Sequence, residues 1–203
     1  MSRLLGLIAR HAIPDRLLVY RGPRRGRRIA LTFDDGPTTL TRRYLDVLEK
    51  HGAKGTFFVV GRQCLEHREL LSEMLARGHE LGSHGFSHRA FPSLNGELEV
   101  ELGRMRELVP SASFVRPPFG ALSLRSLLRC ARMGHTVVMW STDSEDWRQR
   151  DAAQVDRAVV PRGGDIVLLH EGQAWTLAAL ERIVSRLSEN GYEMVTVGRL
   201  LAG

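Results

Sequence analysis

The chain has 203 residues, of which 43% are hydrophobic, 26% charged and 6% aromatic, and it carries a formal charge of +6. A chain of this size builds a core of its own and needs neither a disulfide framework nor a structural metal; Cys64 and Cys130 form no C-x-x-C pair and read as small apolar residues on helices. No apolar run approaches the roughly 18 residues of a membrane span, and any metal is expected to be catalytic.

In chain order, residues 1–28 come first, with eight arginines against one acid, Asp15. That segment carries +7 and the rest of the chain −1, so the excess charge belongs to a basic N-terminal arm and the body, residues 29–203, is nearly neutral. The densest stretch, Arg21-Gly22-Pro23-Arg24-Arg25-Gly26-Arg27-Arg28, reads either as a solvated arm or as a dock for lipid phosphate or an anionic membrane surface, where each basic residue contributes about 1 kcal/mol. Its lack of interleaved aromatics argues against nucleic acid. Leu4, Leu5 and Ile8 share a helical face, and the apolar stretch ends at Arg10, short of a secretory h-region. The expectation is a cytoplasmic protein, peripheral to a membrane at most.

β-branched and apolar runs predict seven short strands, over residues 29–33, 54–60, 79–83, 113–116, 135–140, 165–170 and 193–197. Helical spacing separates most of them, as in Leu40, Tyr44, Leu45 and Leu48 and in Leu70, Leu71, Met74 and Leu75, with Gly52, Gly78, Gly134 and Gly191 at the stops. Alternation of this kind predicts an α/β fold with a mostly parallel sheet, closing toward a barrel, and functional groups at the C-terminal strand ends.

The unusual residues stand at those ends. Asp34 and Asp35 follow the first predicted strand in Thr32-Phe33-Asp34-Asp35-Gly36-Pro37; a solvated turn and a metal ligand beside a proton carrier both fit that string. His84 and His88, four apart after the third strand, have metal-ligand spacing without the Glu of the H-E-x-x-H pattern. Three more strings follow: Phe114-Val115-Arg116-Pro117-Pro118-Phe119-Gly120, then Trp140-Ser141-Thr142-Asp143-Ser144-Glu145-Asp146-Trp147, then Ile166-Val167-Leu168-Leu169-His170. Each has an innocent reading alone, but five in order at strand ends point to one cavity.

On these five strings the sequence resembles the polysaccharide deacetylases, the NodB-homology type of carbohydrate esterase family four, over about residues 28–197. The resemblance implies a distorted, incomplete (β/α) barrel and metal-dependent removal of an acetyl group from a carbohydrate, such as an N-acetylglucosamine-containing oligo- or polysaccharide. By position, Asp35, His84 and His88 match the metal ligands, Asp34 the general base and Arg116 its partner. Phe119 matches the backbone donor to the oxyanion, Trp147 and Leu168 the acetyl pocket, His170 the general acid and Asp146 the carboxylate that tunes it; Asp143 matches the first acid of the fourth motif. The implied cofactor is one divalent ion, zinc first, with cobalt, nickel or iron fitting the same ligands. Gly85 departs from the family, which usually has Ser or Thr there, leaving Ser83 or Ser87 to brace the loop. Alternatives are a deformylase or deacetylase of a lipid-linked sugar, reached through the basic arm, and a catalytically silent carbohydrate-binding protein.

Overall fold

A computed structural model of the chain describes residues 13–203. The helical face of Leu4, Leu5 and Ile8 lies outside the described residues. Among the described residues nine strands form one parallel sheet: β1 (Leu18–Val19), β2 (Arg28–Asp34), β3 (Gly55–Val59), β4 (Glu80–Ser83), β5 (Phe114–Val115), β6 (Thr136–Val138), β7 (Thr142–Asp143), β8 (Ile166–His170) and β9 (Glu193–Val195). Their order is β1-β6-β5-β4-β3-β2-β8-β7, with β9 paired to the first residues of β2. All seven predicted strands are present. The two additional ones, β1 and β7, are each two residues long, too short to show an alternation.

The sheet curls into an incomplete barrel. Only three residues separate β6 from β7, and this stretch spans the gap between the two ends of the strand path. Met139 N–H donates to Val19 O on one side (2.7 Å) and Ser141 N–H to Ile166 O on the other (3.0 Å). Part of the arginine-rich segment joins the same structure: Leu18 and Val19 are buried, pair with β6, and lead to a bridge between Arg21 and Asp165.

Alternation along β2 decides what faces the inside. Ile29, Leu31 and Phe33 point outward into a core shared with the helices, α1 (Thr41–Lys50), α3 (Arg68–Ala76) and the 16-residue α7 (Ala174–Glu189) among them. The intervening row, Ala30, Thr32 and Asp34, lies on the other face; Ala30 joins the inner cluster with Phe58, Val138 and Ile166. The remaining helices are α2 (Gly61–Glu66), α4 (Leu98–Leu108), α5 (Leu124–Arg132), α6 (Ala152–Ala158) and α8 (Val197–Ala202). Gly78 and Gly134, placed by sequence as helix stops, take φ of 77° and 81°, the left-handed conformation that releases a chain from a helix.

His79 sits at the mouth of β4 with both ring nitrogens away from water. The Gly55 N–H donates to its Nδ1 (3.1 Å), its Nε2 has no hydrogen-bond partner, and its ring meets Phe57 edge-on. Burial, reinforced by the charges of Lys54 and Arg77, pushes its pKa from 6.5 down to about 4. A depressed imidazole pKa means the unfolded chain takes the proton first, so stability is full above pH 6.5 and falls as the pH drops toward 4, by roughly 3 kcal/mol for this group. His79→Gln, whose amide oxygen can accept the Gly55 N–H, is expected to lose about 2–3 kcal/mol less than wild type between pH 7 and pH 4 in urea unfolding. Equal losses in the two proteins would remove His79 as the source.

Candidate active site

Parallel register brings the predicted residues together. On the β2–β8 ladder Asp34 stands opposite His170, and on β4–β5 Ser83 stands opposite Val115, which sets His84 beside Arg116. The β7–β8 pairing of Asp143 with Leu168 carries the following loop, with Asp146, to His170. Residues scattered over 137 positions therefore meet at one end of the barrel. Asp34, Asp35, His84, His88, Phe119, Asp143, Trp147, Leu168 and His170 all line one cleft of about 480 Å³. Arg116 and Asp146 lie behind it, each fully buried and bonded to a residue of the lining.

Arg116 is held from four sides. Its Nη1 donates to Asp34 Oδ1 (2.8 Å) and Thr32 Oγ1 (2.7 Å), its Nε to Val138 O (3.0 Å) and its Nη2 to Met139 O (2.9 Å). The guanidinium also lies over the Phe58 ring at 4.1 Å. Burial pulls the Arg116 pKa below its ordinary value, opposed by the charge of Asp34 and the hydrogen bond to it. With one Asp34 oxygen tied to Arg116, the other is 3.8 Å from His84 Nε2.

Asp35, next in the chain, turns the opposite way with φ of 73°. His88 (56°) and Phe119 (60°) are also left-handed, and strain of this kind, about 1–3 kcal/mol per residue, concentrates where function over-determines the backbone. Asp35 Oδ1 lies 3.0 Å from His88 Nε2 and 3.5 Å from His84 Nε2. Among the described residues this is the only trio of potential ligands whose donor atoms all lie within 4.8 Å of one another. The His84 Nδ1 is 2.8 Å from Arg116 O; donation to that carbonyl leaves the Nε2 lone pair facing Asp35. Burial works to raise the Asp35 pKa, but the close contact with His88 and the neighbouring imidazoles win and lower it. His84, fully enclosed, is pushed toward its neutral form by burial.

Across the cleft, His170 Nδ1 meets Asp146 Oδ1 at 2.6 Å, while Asp146 Oδ2 accepts from His170 N–H (2.7 Å) and Thr176 Oγ1 (2.9 Å). Burial opposes the imidazolium charge, but the hydrogen bond to Asp146 and the charges of Asp146, Asp34 and Asp35 hold its pKa at about 9.

Trp140 and Gly120, both within the strings picked out by sequence though given no role there, also line the cleft, as does Gln173. Other participants carried no usable sequence signal. Glu171, beside His170, is buried with its pKa raised to about 8 by burial; its Oε1 accepts from Thr41 Oγ1 (2.6 Å). A Cβ on Gly36 would sit 1.5 Å from Glu171 Oε2, so glycine is the residue that lets the Asp35 turn close over this carboxyl. Glu101 on α4 accepts from the His84–His88 loop. Of the two serines expected to brace that loop, Ser87 Oγ donates to Glu101 Oε1 (2.7 Å) and Ser83 Oγ accepts from Gly85 N–H (3.3 Å).

Residues 21–138 match the family model for polysaccharide deacetylase. The peptidoglycan-N-acetylglucosamine deacetylase PgdA of Listeria monocytogenes is 35% identical over 186 residues, 86% of this chain and 39% of the relative, so the chain spans about two fifths of that protein's length. A peptidoglycan-N-acetylglucosamine deacetylase of Bacillus cereus is 33% identical over 208 residues, 96% of this chain and 98% of the relative. The crystal structure of the peptidoglycan N-acetylglucosamine deacetylase Bc1960, in complex with a naphthyl N-oxidanyl-benzamide, superposes with a TM-score of 0.87 at 27% identity, covering 92% of this chain and 94% of that one. Matched over more than half its length, and nearly end to end with a relative of its own size, the chain belongs to the polysaccharide deacetylase family, the NodB-homology group of carbohydrate esterase family four.

Proposed function

We propose that the protein is a metal-dependent hydrolase that removes the N-acetyl group from N-acetylglucosamine in an oligo- or polysaccharide. One observation carries the reading: Asp34, Asp35, His84, His88 and His170 converge on a single cleft, with Arg116 and Asp146 buried behind two of them. Asp35 Oδ1 is buried without a hydrogen-bond partner, between the Nε2 atoms of two histidines. An orphaned carboxylate oxygen facing two imidazole lone pairs fits a divalent cation, and Asp35, His84 and His88 would hold it. Zinc is the first choice for this donor set, with cobalt, nickel or iron also suited. When bound, such an ion supplies Lewis acidity toward a carbonyl and brings the pKa of water down toward neutrality.

The chain's own groups do the rest. Asp34 takes a proton from the attacking water, and Arg116 keeps its carboxylate aimed. The Phe119 N–H donates to the oxygen of the acetamide as it gains charge, an interaction typically worth about 10²–10³ in rate. Trp147 and Leu168 wall the space for the acetyl methyl. His170, kept cationic by Asp146, gives its proton to the departing amine nitrogen. The C–N bond breaks, and acetate and a free amino sugar result.

The arginine-rich stretch does not favour a lipid-linked substrate. Residues 21–27 precede β2, which opens on Arg28, and the cleft lies beyond that seven-residue strand's other end, roughly 20 Å away at strand rise. An anionic surface held by those arginines would face the end opposite the catalytic groups. Among the described residues no helix is long and apolar enough to cross a membrane.

The test is acetate release from N-acetylated chitooligosaccharides and from peptidoglycan fragments. Activity should vanish on chelation and return with zinc. Absence of acetate from every substrate with zinc-loaded protein, or turnover indifferent to the chelator, would overturn the proposal.

A further inference from the structure

The strand-to-loop segment that carries His84 and His88 is gripped by a residue outside the site, and we infer that Glu101 is a positioning residue that holds the two imidazoles in metal-binding register. The inference rests on the reading of Asp35, His84 and His88 as ligands. Glu101 lies on the inner face of α4, 9% exposed, among the buried Leu98, Leu102 and Met105. A carboxylate in such a place is tolerated only when its oxygens are satisfied. All three of the hydrogen bonds it accepts come from two adjacent residues between the histidines. Oε2 accepts from Phe86 N–H (2.9 Å) and Ser87 N–H (2.9 Å), and Oε1 from Ser87 Oγ (2.7 Å). Among the described residues no Lys, Arg or His forms an ion pair with it, so the loop alone answers the charge.

The opposite edge of the same loop is held too. Gly85 O accepts from Gly61 N–H (3.0 Å) and Phe86 O from Arg62 N–H (3.0 Å), both at the start of α2. Carbonyl oxygens are thus fixed by one helix and N–H groups by another. On either side of the gripped Phe86 and Ser87 the backbone turns left-handed, at Gly85 (φ 78°) and His88 (φ 56°). A non-glycine residue at φ of 56° keeps that conformation only under outside constraint, and His84 is already fixed by Arg116 O. Glu101 therefore acts on the second histidine through the loop: without its oxygens, Phe86 and Ser87 lose the acceptors that hold the turn, and His88 Nε2 moves out of line with Asp35. Groups that orient metal ligands from behind are typically worth about 10-fold to 100-fold in metal affinity.

The experiment titrates metal-stripped protein with zinc against a chelating competitor, and with cobalt followed by its visible spectrum. Glu101→Ala is expected to bind each metal about 10-fold to 100-fold more weakly than wild type, with faster hydrogen exchange at the Phe86 and Ser87 amides. Glu101→Gln should stay within about threefold, because its amide oxygen can accept both N–H groups while its NH₂ meets a Ser87 hydroxyl turned to accept. Leu102→Ala, a core deletion on the same helix, should lower thermal stability yet leave metal affinity within about threefold, which separates positioning from general weakening. Should Glu101→Ala fail to fold, Glu101→Asp, which keeps the charge but ends one methylene short, carries the test with an expected loss of about tenfold. Wild-type affinity in Glu101→Ala or Glu101→Asp overturns the inference, as does Glu101→Gln binding as weakly as Glu101→Ala. Wild type that binds neither metal sinks the metal-site reading and this inference together, whereas tight wild-type binding with unaffected variants sinks only the role of Glu101.

Discussion

Asp34→Asn is expected to lower kcat for acetate release by about 10²–10⁴-fold, the usual worth of a positioned general base, with KM and zinc affinity each changed only a few-fold. The amide is the same size as the carboxylate but cannot take a proton. Its effect falls on kcat because Asp34 lies outside the Asp35, His84 and His88 trio. One Asp34 oxygen is committed to Arg116 and the other faces the His84 side of the cleft, so the carboxylate has one free edge, directed where the attacking water must lie. A kcat within threefold of wild type would remove Asp34 as the base.

The same substitution also disturbs the fold, and the two effects can be read separately. Arg116 is fully buried and Asp34 is its only carboxylate partner among the described residues. Removing one member of a buried pair leaves an uncompensated charge and costs about 3–5 kcal/mol. Here Thr32 Oγ1 and the carbonyls of Val138 and Met139 still accept from the guanidinium, and the amide oxygen of the substituted side chain can keep one bond, so the expected loss is smaller, about 1–3 kcal/mol. Urea unfolding measures that loss, and kinetics at a temperature where both proteins remain folded measure the loss of the base.

What was legible in the sequence follows from how local each signal is. β2 was readable because apolar and β-branched residues run from Ile29 to Phe33 and a Gly36-Pro37 turn follows the two acids. Asp35, His84, His88 and His170 were readable because reactive side chains gathered at strand ends. Arg116 could be placed at a strand end, but nothing near it in sequence foretold that its anchors would be Thr32, Val138 and Met139, since contacts across the barrel depend on closure. β1 was hidden differently: Leu18 and Val19 pack into the sheet, yet the arginines around them made the whole segment read as an arm. Glu101 gave no signal at all. A glutamate on an amphipathic helix is by default a surface residue, and only the fold shows that its side chain turns inward to the loop.

His170 offers the second large effect and the clearest dependence on pH. His170→Ala removes the proton donor to the amine and should lower kcat by about 10²–10⁴-fold. The more diagnostic variant is Asp146→Asn, which leaves the imidazole in place and removes the charge that holds it protonated. The His170 pKa is raised from 6.5 to about 9, so the acid form required for amine departure persists through neutral pH and is lost as the pH rises through about 9. Folding linkage has the same sign: the stabilisation from this pair is complete below pH 6.5 and disappears as the pH climbs past the folded value. In Asp146→Asn the alkaline limb of kcat against pH should move down by at least one unit toward 6.5, because burial, which opposes the charge, then faces only the more distant fields of Asp34 and Asp35. An alkaline limb unchanged in Asp146→Asn would assign the departing proton to some other group, and His170→Ala with near-normal kcat would confirm that reassignment.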